Sequence, residues 1–294
     1  LRGLGKIENS PGLNDNQFNY FFSTLELNYK IDRVNIYLRF NSPKWGKGKT
    51  SIILSDKVPP YFNIGYSWRI NSKFTYEHLH GSLISTIEDS TFNDLYTSSN
   101  RFVEYPRSIS AHRLLYNLSD NILVTFYETI VYGGNRNFDP SYYLPLVPLL
   151  PIQTYHGDLD NVQIGAGIDY HSDNSNLYLL LSLDEWSPGL TFKKAHKNWA
   201  VWQIGLLKEN FLIKNDSLRV EYIWSDYRVY KHRFEINNYY SYGYPLGFWA
   251  GPHAEQFFVG YNFDINEYIN LALSYLEAKR GNISNEILEG KYSH

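Results

Sequence analysis

The chain of 294 residues has no cysteine and no methionine, and only 19% of it is Asp, Glu, Lys or Arg. Without cysteine there is no disulfide framework, no thiolate metal site and no cysteine nucleophile. Without Met even at position 1, and opening Leu1-Arg2-Gly3, it reads as a processed or incomplete chain, one or both ends lying beyond it. The formal net charge is only −3, which excludes the basic surface of a nucleic-acid binder and the run of acids of a solvating tail. Long apolar runs are missing too. A membrane helix needs about 20 consecutive apolar residues. The best run, Tyr142 to Ile152, is broken by Pro145, Pro148 and Pro151. This argues against a helical membrane protein but not against a membrane β-barrel, whose strands leave only an alternating signal.

What is abundant is aromatic: 27 Tyr, 17 Phe and 7 Trp. Disorder is excluded by that content. Apolar residues recur with period two. Val34, Ile36, Leu38 and Phe40 form one face and Arg33, Asn35, Tyr37 and Arg39 the other. The same alternation runs through Phe62–Asn71, Asn161–Tyr170, Leu177–Leu183, Leu218–Trp224, Phe257–Phe263 and Tyr268–Tyr275. Further strands are expected at Gln17–Tyr29, Lys73–Ser85, Arg101–Tyr105, Ile109–Tyr116, Ile122–Tyr132 and Asn198–Leu207. Asn71-Ser72, Ser119-Asp120-Asn121, Asp173-Asn174-Ser175 and Lys214-Asn215-Asp216 punctuate them as turns. Alternation of this length is the mark of half-buried strands, so the chain is all-β and a single domain over residues 1–294.

Two closures fit such strands: a soluble double sheet or propeller, or an antiparallel transmembrane β-barrel. Segments of about nine to eleven residues suit a tilted span. Tyr170, Trp199, Trp224 and Tyr275 stand at stripe ends as girdle aromatics do. Short turns alternate with long loops. The barrel is the reading taken, with roughly fourteen strands visible at about twenty residues per strand and connection. Three long connections, Asn41–Pro60, Gly133–Asp160 and Asp226–Pro252, are expected to cap or fill its mouth.

At these loops the sequence resembles the Wzi capsule-assembly family of outer-membrane proteins. The resembling segments keep one order: Trp45-Gly46-Lys47-Gly48 with Leu54 to Pro60, Ala111-His112-Arg113-Leu114, and Glu128 to Gly134. Asp139-Pro140 through Pro145, Asp160-Asn161, Asp184-Glu185, and Gly243 to Gly247 with Gly251-Pro252 follow. The family's second acidic position is Trp186-Ser187 here. The resemblance implies a barrel of roughly eighteen strands in the cell outer membrane of a Gram-negative organism, binding exported polysaccharide without catalysis.

The residues themselves support sugar binding. Aromatic faces cover the apolar CH faces of sugars and planar polar groups pair their hydroxyls. Trp45, Trp186, Tyr242, Tyr244 and Trp249 are candidate platforms. Arg113, Glu128 and Asp184, read as inner-face charges, and Tyr143, in the proline-punctuated segment of the resemblance, complete the candidate site. The plain alternative is that the aromatics are girdle residues and the charges an Arg–carboxylate ladder bracing the interior. His112 and Arg113 alternate, and the pattern does not decide which of them faces inward.

No G-x-S-x-G or H-E-x-x-H occurs. His78 and His80 share a face but lack an identifiable third metal ligand. Asp158, Asp160, Asp184 and Glu185 read as solvated loop acids rather than a hydrolytic pair. The expectation is therefore no enzyme, no cofactor and no metal, with polysaccharide and outer-membrane lipid as partners and no nucleic acid. Two alternatives stay open: a porin-like channel, and a structural barrel subunit whose partners are other outer-membrane export proteins.

Overall fold

The computed structural model describes residues 23–89, 103–134, 139–186 and 198–284, with Gly189 and the paired two-residue strands β1 (Ile7–Glu8) and β2 (Asn19–Tyr20). Twelve long strands make one sheet. They are β3 (Leu25–Ile31), β4 (Val34–Asn41), β5 (Tyr61–Arg69), β6 (Phe74–Leu83), β7 (Arg107–Ser119) and β8 (Ile122–Gly133). Then come β9 (Asn161–Ser172), β10 (Ser175–Glu185), β11 (Trp199–Glu209), β12 (Asp216–Ser225), β15 (Ala254–Asn266) and β16 (Ile269–Arg280). Each pairs antiparallel with the next in chain order, the simplest barrel meander. A two-residue hairpin, β13 (Tyr240–Ser241) with β14 (Tyr244–Pro245), lies in the last long loop. Within the expected strand Arg101–Tyr105, Glu104 makes only an isolated bridge to Glu88; Arg101 and Phe102 lie outside the described residues. Of the expected strand Gln17–Tyr29, Gln17, Phe18, Phe21 and Phe22 lie outside the described residues, Asn19–Tyr20 is β2, and the strand of the main sheet begins at Leu25.

The connections sort by end. Those after β3, β5, β7, β9, β11 and β15 are short, and those after β4, β6, β8, β10 and β12 are long. This is the layout of outer-membrane barrels, with tight turns on one side and long loops on the other. Residues suited to left-handed backbone close several short turns: Asp32, Asn210 and Asn215 have φ of 47°, 49° and 65°. The Asp216 carboxylate holds the last of these by accepting from the backbone N–H of Phe211, Leu212 and Ile213.

Cross-strand partners share a face, so register fixes what points where. One continuous face carries Leu38 and Ile64, Leu114 and Phe126, Ile168 and Leu179, Ile204, and Val259 and Tyr275. Much of it is bare; Phe126 is 53% exposed and Ile64 47%. Apolar surface of this extent is a lipid-facing belt.

The opposite face packs on a core. In it Tyr37 pairs with Gly65, Tyr127 with Gly165 and Tyr178 with Gly205, and each phenol lies over its glycine. A Cβ at Gly165 would stand 2.3 Å from the Tyr127 ring. Glycine here makes room for a neighbour's ring on a crowded inner wall.

Of the three loops expected to cap or fill the mouth, two fill the interior. Ile52, Ile53, Leu54 and Val58 from the first meet Tyr230, Tyr239, Leu246 and Phe248 from the last, inside a wall that includes Leu79, Ile109, Val131, Val201 and Ile223. Tyr230 donates to the Ile52 carbonyl and Tyr239 to the Ile53 carbonyl, both at 3.0 Å, and Gln203 Nε2 donates to the Thr50 carbonyl at 2.9 Å. Burying each such side chain stabilises the plug by about 1.5–3 kcal/mol.

The third loop does otherwise, and corrects the expectation that all three would cap or fill the mouth. Its described part, 139–160, carries a 3-10 turn (Pro140–Tyr143) and α1 (Leu149–Tyr155) and lies against the outer wall. Tyr142 and Leu149 pack on Ile130, Tyr132 and Val162, which point outward with Phe126. The wall beneath carries polar groups, and the loop meets several of them. Ser110 Oγ donates to the Tyr142 carbonyl at 2.7 Å, Leu149 N donates to Glu128 at 2.7 Å, and Leu146 N donates to Tyr76 Oη at 3.1 Å. No lipid chain could replace those partners.

Candidate ligand-binding site at the loop end

Inside the barrel, Trp45 is 5% exposed and Arg113 lies over its indole, the guanidinium carbon 4.6 Å from the ring centroid. Arg113 also pairs with Glu77 at 2.6 Å across β6–β7. A second brace joins Arg219 to Glu221 at 3.1 Å, and Glu221 accepts from Lys49 N of the plug. These are structural ties. They hold the first long loop to the wall, and cavities of about 250 and 350 Å3 remain beside Arg113.

Glu128 corrects its expected inward position. Its register with His112 and Ile164 places it on the outer face. There it meets His112 Nε2 at 2.9 Å beneath the third loop. His78 and His80 share this face; His78 is the cross-strand partner of His112, and His80 Nε2 lies 2.8 Å from Tyr132 Oη. Tyr143 covers the pair, its ring centroid 4.2 Å from that of His80 and 5.9 Å from that of His78. Among the described residues no group of three His, Cys, Asp or Glu has metal-holding geometry.

Where the ends of β9 and β10 meet the loops there is a cleft of about 390 Å3. Asp184 and Trp186 from the end of β10 line it, together with Asp158 and Asp160, Lys231, His232 and Arg233 of the last loop, and Trp199. Trp186 is 51% exposed, an available platform, whereas Trp199 is buried. Gln153 of α1 donates to Asp158 Oδ1 and to the Asp160 carbonyl, both at 2.7 Å, and Tyr142 Oη donates to Asp160 Oδ2. Asn237 Nδ2 ties the last loop to the Leu159 carbonyl at 2.7 Å. Arg233 sits 3.8 Å from the Asp158 carboxylate and donates to the Asp158 carbonyl. Burial lowers the pKa of Lys231, partly offset by Glu235; its ammonium lies 4.8 Å over the Tyr240 ring. The cleft thus offers an indole face, acceptors and donors of both charges within one concavity, the set that a saccharide requires.

Of the candidate residues, this cleft brings together Asp184 and Trp186. Trp45 and Arg113 meet each other inside the plug. Glu128 and Tyr143 belong to the outer-wall contact. Tyr242, Tyr244 and Trp249 lie on the last loop; Tyr242 has φ of 52° at the tip of the β13–β14 hairpin, Tyr244 is exposed, and Trp249 Nε1 donates to Gln256 of the inner wall. Ser187 lies outside the described residues. The cleft also uses Lys231, His232 and Arg233, three consecutive bases inside an aromatic loop. That run was the available signal for them in the sequence.

The fold and belt define a membrane-spanning β-barrel of the outer-membrane class, its interior filled by its own loops. Among solved structures, Wzi of Escherichia coli, a carbohydrate-binding β-barrel involved in group 1 capsule assembly, superposes with a TM-score of 0.62 at 14% identity over 92% of this chain. This chain spans 58% of that one. The Pseudomonas putida toluene transporter TodX gives a TM-score of 0.41 at 12% identity, covering 87% of this chain and 78% of its own. OccK7 of Pseudomonas aeruginosa gives 0.39 at 10%, covering 88% and 63%. No protein-family model matches the chain, and no curated protein matches it in sequence.

Proposed function

We propose that this protein is a Wzi-like, non-catalytic receptor of the outer membrane that binds exported surface or capsular polysaccharide at its loop end. The observation that carries the reading is the rim cleft, in which exposed Trp186 stands beside Asp184, Lys231 and Arg233. The likeness to carbohydrate-binding Wzi supports it at the level of fold. The filled interior speaks against an open channel, because the plug is tied to the wall through Arg113, Gln203, Tyr230 and Tyr239.

The test is binding of purified capsular polysaccharide to the full chain by affinity electrophoresis. Trp186→Ala is expected to weaken retardation about tenfold, since losing one stacked ring costs roughly 1–1.5 kcal/mol. The heat-modifiable barrel band should be unchanged. Wild-type protein that binds no polysaccharide, or a Trp186→Ala variant that binds as wild type, would remove the cleft from the account.

A further inference from the structure

Beside the rim cleft, on the lipid-facing wall, runs a second concavity of about 550 Å3. Its floor is Leu114, Phe126, Ala166 and Leu181, all on the outward face by register. Its side is Leu146 and Pro148 of the third loop. A barrel's outer wall is ordinarily convex. This one is grooved because a loop stands against it and because Ala166 is small between Phe126 and Leu181, its partners on the two adjoining strands. Phe126 and Leu181 are exposed and continue into Ile168 and Leu179 of the belt, so the groove opens into hydrocarbon. Its polar groups already serve one another: His112 pairs with Glu128, and Glu128 accepts from Leu149 N. What remains for an occupant is apolar.

The other end of the groove meets the rim cleft, and Ile164, Leu183 and Trp186 line both. A free polysaccharide has no use for the groove, and a simple hydrocarbon has none for the charged cleft. We infer that the ligand is a lipid-anchored glycan, its sugars in the rim cleft and one acyl chain in the wall groove, with Trp186 at the junction. The inference rests on the glycan-binding reading and adds the lipid to it. The groove runs from the mid-strand residues Leu114, Phe126 and Ala166 to Leu183 and Trp186 at the loop end, so an acyl chain lying in it would point from the loop side toward the middle of the bilayer.

The probes are lipopolysaccharide and the lipid-free polysaccharide released from it by mild acid, each titrated against the full chain in one detergent. Wild-type protein is expected to bind the lipid-bearing form about tenfold more tightly, since burying even a few methylenes suffices for that ratio. Ala166→Phe fills the groove from a lipid-facing position. It should reduce lipopolysaccharide binding to the level of the lipid-free form and leave the latter unchanged. Leu181→Trp narrows the same groove from the next strand and should do likewise if Ala166→Phe does not assemble. Equal wild-type affinity for the two probes, or undiminished lipopolysaccharide binding in an assembled groove variant, overturns the inference and leaves the glycan reading standing. Wild-type protein that binds neither probe overturns both.

Discussion

His112 and Arg113 are neighbours in the chain and face opposite sides of the barrel wall: His112 meets Glu128 at 2.9 Å outside, Arg113 meets Glu77 at 2.6 Å inside. One pair anchors the loop that lies on the outer wall, the other steadies the loop that fills the interior. Each can be cut without touching the other.

Glu128→Ala removes the acceptor for both His112 and Leu149 N. The segment over the outer wall should open more often, by about 1–2 kcal/mol, a five- to thirtyfold rise in the open population. Chymotryptic cleavage within 142–150 should speed up to match while the barrel core stays resistant. Cleavage at the wild-type rate would show that apolar packing alone holds the loop.

Arg113→Met strands the Glu77 carboxylate on the inner wall and takes the cation from the Trp45 face. The expected loss is about 1–3 kcal/mol of unfolding free energy, of which the ring contact supplies roughly 0.5–1. Adding Glu77→Gln should recover part of it, read from urea unfolding of the refolded protein.

The plug makes a conductance prediction. Wild-type protein in a planar bilayer should be nearly silent. Tyr230→Phe with Tyr239→Phe deletes the hydrogen bonds to the Ile52 and Ile53 carbonyls, and channel flicker should appear. Large, steady wild-type conductance would restore the porin-like alternative.

Gly165→Val drives a side chain into the Tyr127 ring and towards the Leu181 carbonyl, both 2.3 Å from the added Cβ. Overpacking of this kind costs about 1–3 kcal/mol. Tyr127→Ala in the same chain should return some of that loss, because the ring is what the valine meets. Urea unfolding of the single and double variants decides it.

Lys231 gives a pH signature. Burial holds its folded-state pKa below the ordinary lysine value, so the unfolded chain binds more protons in the interval between the two. Stability should therefore rise with pH across that interval, up to about 10.4 where the unfolded lysine also loses its proton. Lys231→Met should remove this slope, so the gap between variant and wild type shrinks as pH rises. A constant gap from pH 7 to 10 would mean that the charge is not what burial penalises.

The strand alternation was legible from the sequence because its period is a local property of the backbone: Val34 to Phe40 and Leu177 to Leu183 declare their two faces with no knowledge of their neighbours. The antiparallel order, the short-turn end and the belt followed from it. The candidate site was legible only in pieces. Asp184 and Trp186 belong to the cleft, but Lys231 to Arg233 reach it through the fold of a loop whose path no local pattern encodes. Glu128 shows why polarity alone misassigned a face. Its side of the strand is the lipid side, and it can be polar there only because residues 139–160 come back to cover it. Whether a loop enters a barrel or lies on its wall depends on which polar groups and ring faces wait for it. Those partners stand on strands far apart in sequence, such as Gln203 for Thr50 and Ser110 for Tyr142, and only tertiary structure brings them within hydrogen-bond reach.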